Sequence, residues 1–332
     1  MKTEKYHKMM SIVKKIGYCF VLNLLAMGLP ELLFAQTSEL AKDFKNPPSE
    51  YSMIPFWSWN GTLKPEKLTW QIDQMLDKGI SGAFLHARAG LDESETPYFS
   101  DGFWKAVDTT IRYSALKGFH TYLYDEDKWP SGSAGGRTIA ANPDEFVKKI
   151  LFYQKMEVVG PQLITLNLQK NPIAVLAGRI AENGNYVSAE QVNLTGKTGK
   201  KWDVPPGRWA IISFEMVKDP GAQIDYLDSA AVAKFIEITH EAYYKRFKNY
   251  FGNTIPGIFF DEIFANAAKM GDNIFWTDDF LLKFRKIKGY DLADKLPLII
   301  LNDPEKSEKL RYDYFDVVRE LYVKAWFKQY AD

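Results

Sequence analysis

The chain has 332 residues, 46% of them hydrophobic and 25% charged, a composition that supports a sizeable packed core and excludes a disordered, fibrous or low-complexity protein. Lys plus Arg and Asp plus Glu both number 42, so the formal charge is zero, no basic field draws a polyanion, and nucleic acid is not an expected partner.

Residues 1–35 read as a secretory signal: a basic stretch (MKTEKYHKMMSIVKK), an apolar stretch (IGYCFVLNLLAMGL), and LLFAQ with cleavage after Ala35. The apolar stretch is shorter than the ~20 residues that span a bilayer, so export to the periplasm or the medium is expected, with no stable membrane span after signal removal. The only cysteine, Cys19, lies in this segment, which leaves the exported chain without disulfides.

Residues 36–145 alternate strand and helix signals. MIPFWSWNG (53–61) is a short strand ending in an Asn-Gly turn, Pro65 opens a helix with apolar Leu68, Ile72, Met75 and Leu76, and ISGAFLHAR (80–88) is a second strand. A helix capped by Ser100 or Asp101 runs to Gly118, and HTYLYDED (120–127) is a third strand. Residues 146–220 change character: short strands separated by Gly, Pro and Asn predict an inserted antiparallel sandwich. Helical rhythm resumes after the cap Asp228, IPGIFFDEI (255–263) gives a fourth strand, and helices follow near 277–288 and 306–330, so residues 221–332 continue the first unit.

Strand-helix alternation with short links predicts a parallel sheet with helical crossovers. A closed (β/α)₈ barrel needs eight strands and typically ~250 residues, so four strands imply either an open sheet or, as we favour, the front half of such a barrel, here apparently truncated.

In parallel α/β folds, ligands sit at the carboxyl ends of strands. Those ends carry Trp57, Trp59 and Asn60; His86 and Arg88; Asp125, Glu126 and Asp127; and Asp261 and Glu262. Acids end strands simply because they are solvated, but two Asp-Glu pairs on one rim, with aromatics and an arginine, suit glycoside hydrolysis, which needs one carboxyl to protonate the leaving oxygen and another to activate water or attack. Trp57, Trp59 and Trp129 could form a wall for stacking a sugar or serve as core contacts. His86 could donate to a sugar, ligate a metal or be structural, and Arg88 could lower the pKa of a rim carboxylate. WPSGSAGG (129–136) lacks the lysine and spacing of a phosphate loop, and no Cys or paired-His signature marks zinc, so neither nucleotide nor zinc is expected.

Five segments, PFWSWNG, GISGAFLHARAGL, YDEDKWPSGSAGG, DYLDSAAVAKFIEITHEAYYKRF and IPGIFFDE, in this order, resemble the front of the catalytic barrel of glycoside hydrolase family 106, the α-L-rhamnosidases, over roughly residues 50–300. The resemblance implies an exported inverting hydrolase that removes terminal α-L-rhamnose from plant polysaccharides, with calcium assisting sugar binding. By position it implies Glu126 and Glu262 as the acid and base, with Asp125 and Asp261 beside them; Trp57, Trp59, Asn60, His86, Arg88 and Trp129 would complete the sugar site. The alternatives are an inactive or carbohydrate-binding fragment, or a carboxylate glycosidase for another sugar.

Overall fold

The structure, a computed structural model, describes residues 40–167, 172–197, 199–219, 223–263 and 274–331. The expected signal segment lies outside them. Among the described residues no helix is long and apolar enough to cross a membrane.

Strands β1 (Phe56–Trp59), β2 (Gly82–Ala87) and β3 (His120–Tyr124) alternate with helices α1 (Pro65–Asp77) and α2 (Asp101–Lys117). Pro65 occupies the first turn of α1, where its missing N–H costs nothing. Ser100 caps α2 by accepting the N–H of Phe103, and Gly118 closes it in the left-handed region at φ 69°. After the short α3 (Arg137–Ala141), the chain builds β4 (Lys149–Thr165), β5 (Ala174–Ile180), β6 (Tyr186–Asn193) and β7 (Lys201–Lys218). It then returns through α4 (Ser229–Ile238) and α5 (His240–Phe247) to β8 (Ile258–Phe259). Strand β9 (Ile274–Trp276), α6 (Phe280–Lys288), α7 (Pro297–Ile300) and α8 (Ser307–Tyr322) follow, and α8 passes through a π-helical turn, Val323–Phe327, into α9 (Lys328–Ala331).

Two sheets result. The first is parallel, in the order β1-β2-β3-β8, so each strand lies beside the next one made in this unit. Period-two alternation divides its side chains. Trp57, Trp59, Ala83, Leu85 and Leu123 pack beneath α1, α2 and α5 with Leu68, Ile72, Phe103, Val107, Ile111, Tyr243 and Phe247. Phe56, Phe84, His86, Tyr122, Tyr124 and Phe259 line the other face. Flat, four strands would be about 14 Å across. Instead the rings of Phe56 and Phe259, from the two edge strands, lie 5.1 Å apart, so this face is concave.

The second sheet is antiparallel, in the order β6-β5-β7-β4-β9. It corrects two expectations. A single curled sheet replaces the sandwich, because β4 and β7 pair along almost their whole length and bend around Val175, Ala177, Trp202, Val204, Trp209 and Ile211. The expected boundary at residue 220 is also crossed: β9 pairs with β4, and α6 and α8 pack Phe280, Phe284, Leu310, Tyr314 and Val317 on this sheet. Asp225 is structural, buried with its carboxylate accepting from the hydroxyl of Thr277 at 2.6 Å and the N–H of Leu227 at 3.0 Å.

Candidate active site

The carboxyl ends of β1, β2, β3 and β8 meet on one rim, as expected from parallel strands. The side chains there divide into an exposed group and a buried group.

Glu126 is fully buried. The segment after it turns back and aims five main-chain N–H groups at its carboxylate, those of Asp127, Gly132, Ser133, Ala134 and Gly135, at 2.7 to 3.0 Å. Such a cradle needs left-handed backbone, found at Lys128, Gly132, Ala134, Gly135 and Gly136. At Gly132, with φ 132°, a Cβ would also sit 2.8 Å from the ring of Tyr226. Burial pushes the Glu126 carboxyl up to about 7, against the downward pull of the N–H groups of Gly135, Ala134 and Asp127. The expectation of Glu126 as half of an acid and base pair meets a carboxylate whose oxygens face the loop they organise.

Asp125 is equally buried. Its Oδ1 accepts the hydroxyl of Ser131 at 2.6 Å, and its Oδ2 accepts the hydroxyl of Tyr330 at 2.8 Å and faces Nε2 of His240 at 3.2 Å. Burial, ahead of the nearby Asp125 charge, holds the Tyr330 phenol far above its ordinary range, so it serves as a donor. Asp125 is the hub of a buried network. Ser131, His240 and Tyr330 had no sign in the sequence: one is a small residue in a turn, and the others are single residues on short polar helices far apart in the chain.

Trp57 and Trp59 correct the expectation of a stacking wall. Both are buried on the helix-covered face, where Trp57 Nε1 donates to Gln71 at 3.1 Å and Trp59 meets Phe103 edge to face at 5.8 Å. His86 lies on the concave face but is closed in, stacked on Tyr124 at 3.7 Å with its Nδ1 3.0 Å from the carbonyl of Ala87. Burial, and then the charge of Arg88, lower its pKa, which keeps the imidazole neutral.

The exposed group is Asn60, Arg88, Trp129 and Glu262, with Asp261 half-buried. Arg88 reaches the carbonyl of Lys128 at 3.4 Å and bears on Asp261, while Trp129 is 43% exposed and so offers an open ring face. The Asp261 carboxyl is raised by burial and by the neighbouring Glu262, with Arg88 opposing. Glu262 stands three residues beyond the end of β8 at φ 41°, in the left-handed region that an L side chain enters at a cost. Strain of this kind gathers at functional sites.

Residues 179–332 match the glycoside hydrolase 106 family model, alpha-L-rhamnosidase. The match takes in Asp261, Glu262, His240 and Tyr330 and leaves out Asp125 and Glu126. A solved rhamnosidase from Novosphingobium sp. PP1Y is similar in structure with a TM-score of 0.58 and 13% identity, over 88% of this chain and 46% of its own. At that identity the likeness is one of fold, and this chain spans less than half the length of that rhamnosidase. No curated protein sequence matches the chain.

Calcium fits poorly here. Among the described residues no three His, Asp or Glu side chains converge as a metal site, and the oxygens of Asp125 and Glu126 are already taken by donors.

Proposed function

We propose that this chain acts as an exported α-L-rhamnosidase, a glycoside hydrolase of the inverting type, acting on terminal α-L-rhamnose of plant polysaccharides. The observation that carries the reading is Glu262: an exposed carboxylate in strained backbone at the carboxyl end of a parallel strand, inside the segment that matches the rhamnosidase family. The meeting of Phe56 with Phe259 across the sheet supports a (β/α)₈ half-barrel, since barrel closure requires such curvature. The composition of residues 1–35 supports export.

In this reading Glu262 is one of the two carboxyl groups that flank the scissile bond. Asp261, its carboxyl raised by burial, stands beside Arg88 to hydrogen-bond a sugar hydroxyl. Trp129 offers its open face to the sugar ring. Glu126 acts through the loop it shapes, at whose start Trp129 stands. Sequestration of Glu126 favours a second reading, sugar binding without turnover, because the described strand ends then expose a single glutamate.

The deciding experiment offers the protein aryl glycosides of α-L-rhamnose, α-L-fucose and β-D-glucose. Release from the rhamnoside alone, with the opposite anomer appearing first in the proton NMR spectrum, is expected. Glu262→Gln should lower it by about 10²-fold or more. Rhamnose binding without turnover would favour the second reading, and indifference to all three sugars would overturn both.

A further inference from the structure

Beside the carboxylate just assigned, polar contacts from three segments converge on one small residue. Ser131 is fully buried in the turn that follows β3. Its hydroxyl donates to Asp125 Oδ1 at 2.6 Å and accepts the main-chain N–H of Asp261 at 2.9 Å. Its own N–H donates to the carbonyl of Asp261 at 3.0 Å, and its carbonyl accepts the hydroxyl of Tyr226 at 2.6 Å. Every polar atom of Ser131 is therefore engaged, and two of its contacts grip the same residue.

That residue immediately precedes Glu262. Strand β8 has only two residues and its ladder ends at Phe259, so regular pairing does not fix the backbone at 261 and 262. A left-handed φ at a glutamate persists only where its surroundings overdetermine it. Ser131 supplies that constraint, and it is anchored in turn: Asp125, which takes its hydroxyl proton, is held by Tyr330 at 2.8 Å and faces His240 at 3.2 Å, from two separate helices.

We infer that Ser131 is a positioning residue for Glu262, linking it through Asp125 to His240 and Tyr330 and holding it in its strained, outward-facing conformation. The inference rests on the proposed catalytic role of Glu262. Its physical content, a clamp on the backbone at Asp261, stands apart from that role.

The test therefore has two readouts. Amide hydrogen exchange reads the clamp without activity: Ser131→Ala should speed exchange at Asp261 and Glu262 by about tenfold, as expected for one lost hydrogen bond, with the amides of α1 and α2 unchanged. Tyr330→Phe, which leaves the turn intact and removes one anchor of Asp125, should give a smaller change of the same sign. Unchanged exchange at Asp261 in Ser131→Ala would overturn the inference whatever the protein catalyses. With an aryl α-L-rhamnoside, Ser131→Ala should lower kcat by about tenfold with KM within about twofold, and should cost nothing further in a Glu262→Gln background. Full additivity of the two substitutions would also overturn it. An intact clamp in a protein that turns over no rhamnoside would instead count against the proposed function.

Discussion

His86 lies flat on Tyr124, ring centroids 3.7 Å apart and planes within 16°, with Phe56 edge-on to the imidazole at 5.3 Å. Burial lowers its pKa from the usual 6.5, so on acidification the unfolded chain takes up this proton before the folded one does. The sign follows: the contribution of His86 to stability is present above pH 6.5 and is lost as pH falls below it. An NMR titration of the imidazole in the folded protein should give a midpoint below 6.5. A midpoint at or above that value would contradict the burial.

Glu126→Gln should destabilise strongly even though side-chain volume is kept. One of the two carboxylate oxygens becomes an NH₂ group that faces N–H donors, and buried donors without acceptors cost about 1–3 kcal/mol each. Chemical denaturation should show a loss of about 2–5 kcal/mol, with new protease cleavage between residues 127 and 136. A melt matching wild type would show that the cradle does not depend on charge.

Glu262→Gly should raise stability. Glycine occupies left-handed backbone without the Cβ penalty, and relief of about 1 kcal/mol is expected at an exposed site. Hydrolysis of an aryl α-L-rhamnoside should disappear in the same variant, the exchange of stability for function that strained active sites display. A lower melting temperature would locate the strain elsewhere.

The tryptophans should separate by face. Trp59→Ala, emptying a buried site against Phe103, should cost about 3–5 kcal/mol, while Trp129→Ala should change stability by about 0.5 kcal/mol or less. Sugar affinity should show the reverse pattern in isothermal titration. Loss of stability from Trp129→Ala would return that residue to the core.

The parallel strands were legible because each runs into a polar cluster and the first two are followed by amphipathic helices, the second capped at Ser100 and closed at Gly118. The facing of β1 was not. Phe56, Trp57 and Trp59 are all aromatic, so period two divides the strand without saying which half meets the helices, and of the two roles open to Trp57 and Trp59 the structure shows the core contact. The Gly and Pro residues expected to separate short strands include Gly160 and Pro161, yet β4 pairs with β7 as far as Gly160 opposite Gly207 and again from Gln162 opposite Val204. The acids at 125 and 126 were legible as a site feature but not as buried ones. Their burial depends on Ser131 and on donors at 240 and 330, and no local pattern ties such distant positions together.

The contact between Asp125 and Tyr330 spans 205 residues of sequence. Long loops are closed late in folding, and chains fold from the amino terminus as they are made. A nascent chain can thus pair its first three parallel strands, and cover them with α1 and α2, well before the phenol that anchors Asp125 has been synthesised. Until α9 docks, that carboxylate lacks its Tyr330 partner. The order of synthesis thereby makes the rim the last part of the parallel unit to set, so that a rigid Glu262 reports a chain in which residues 125 and 330 have already met.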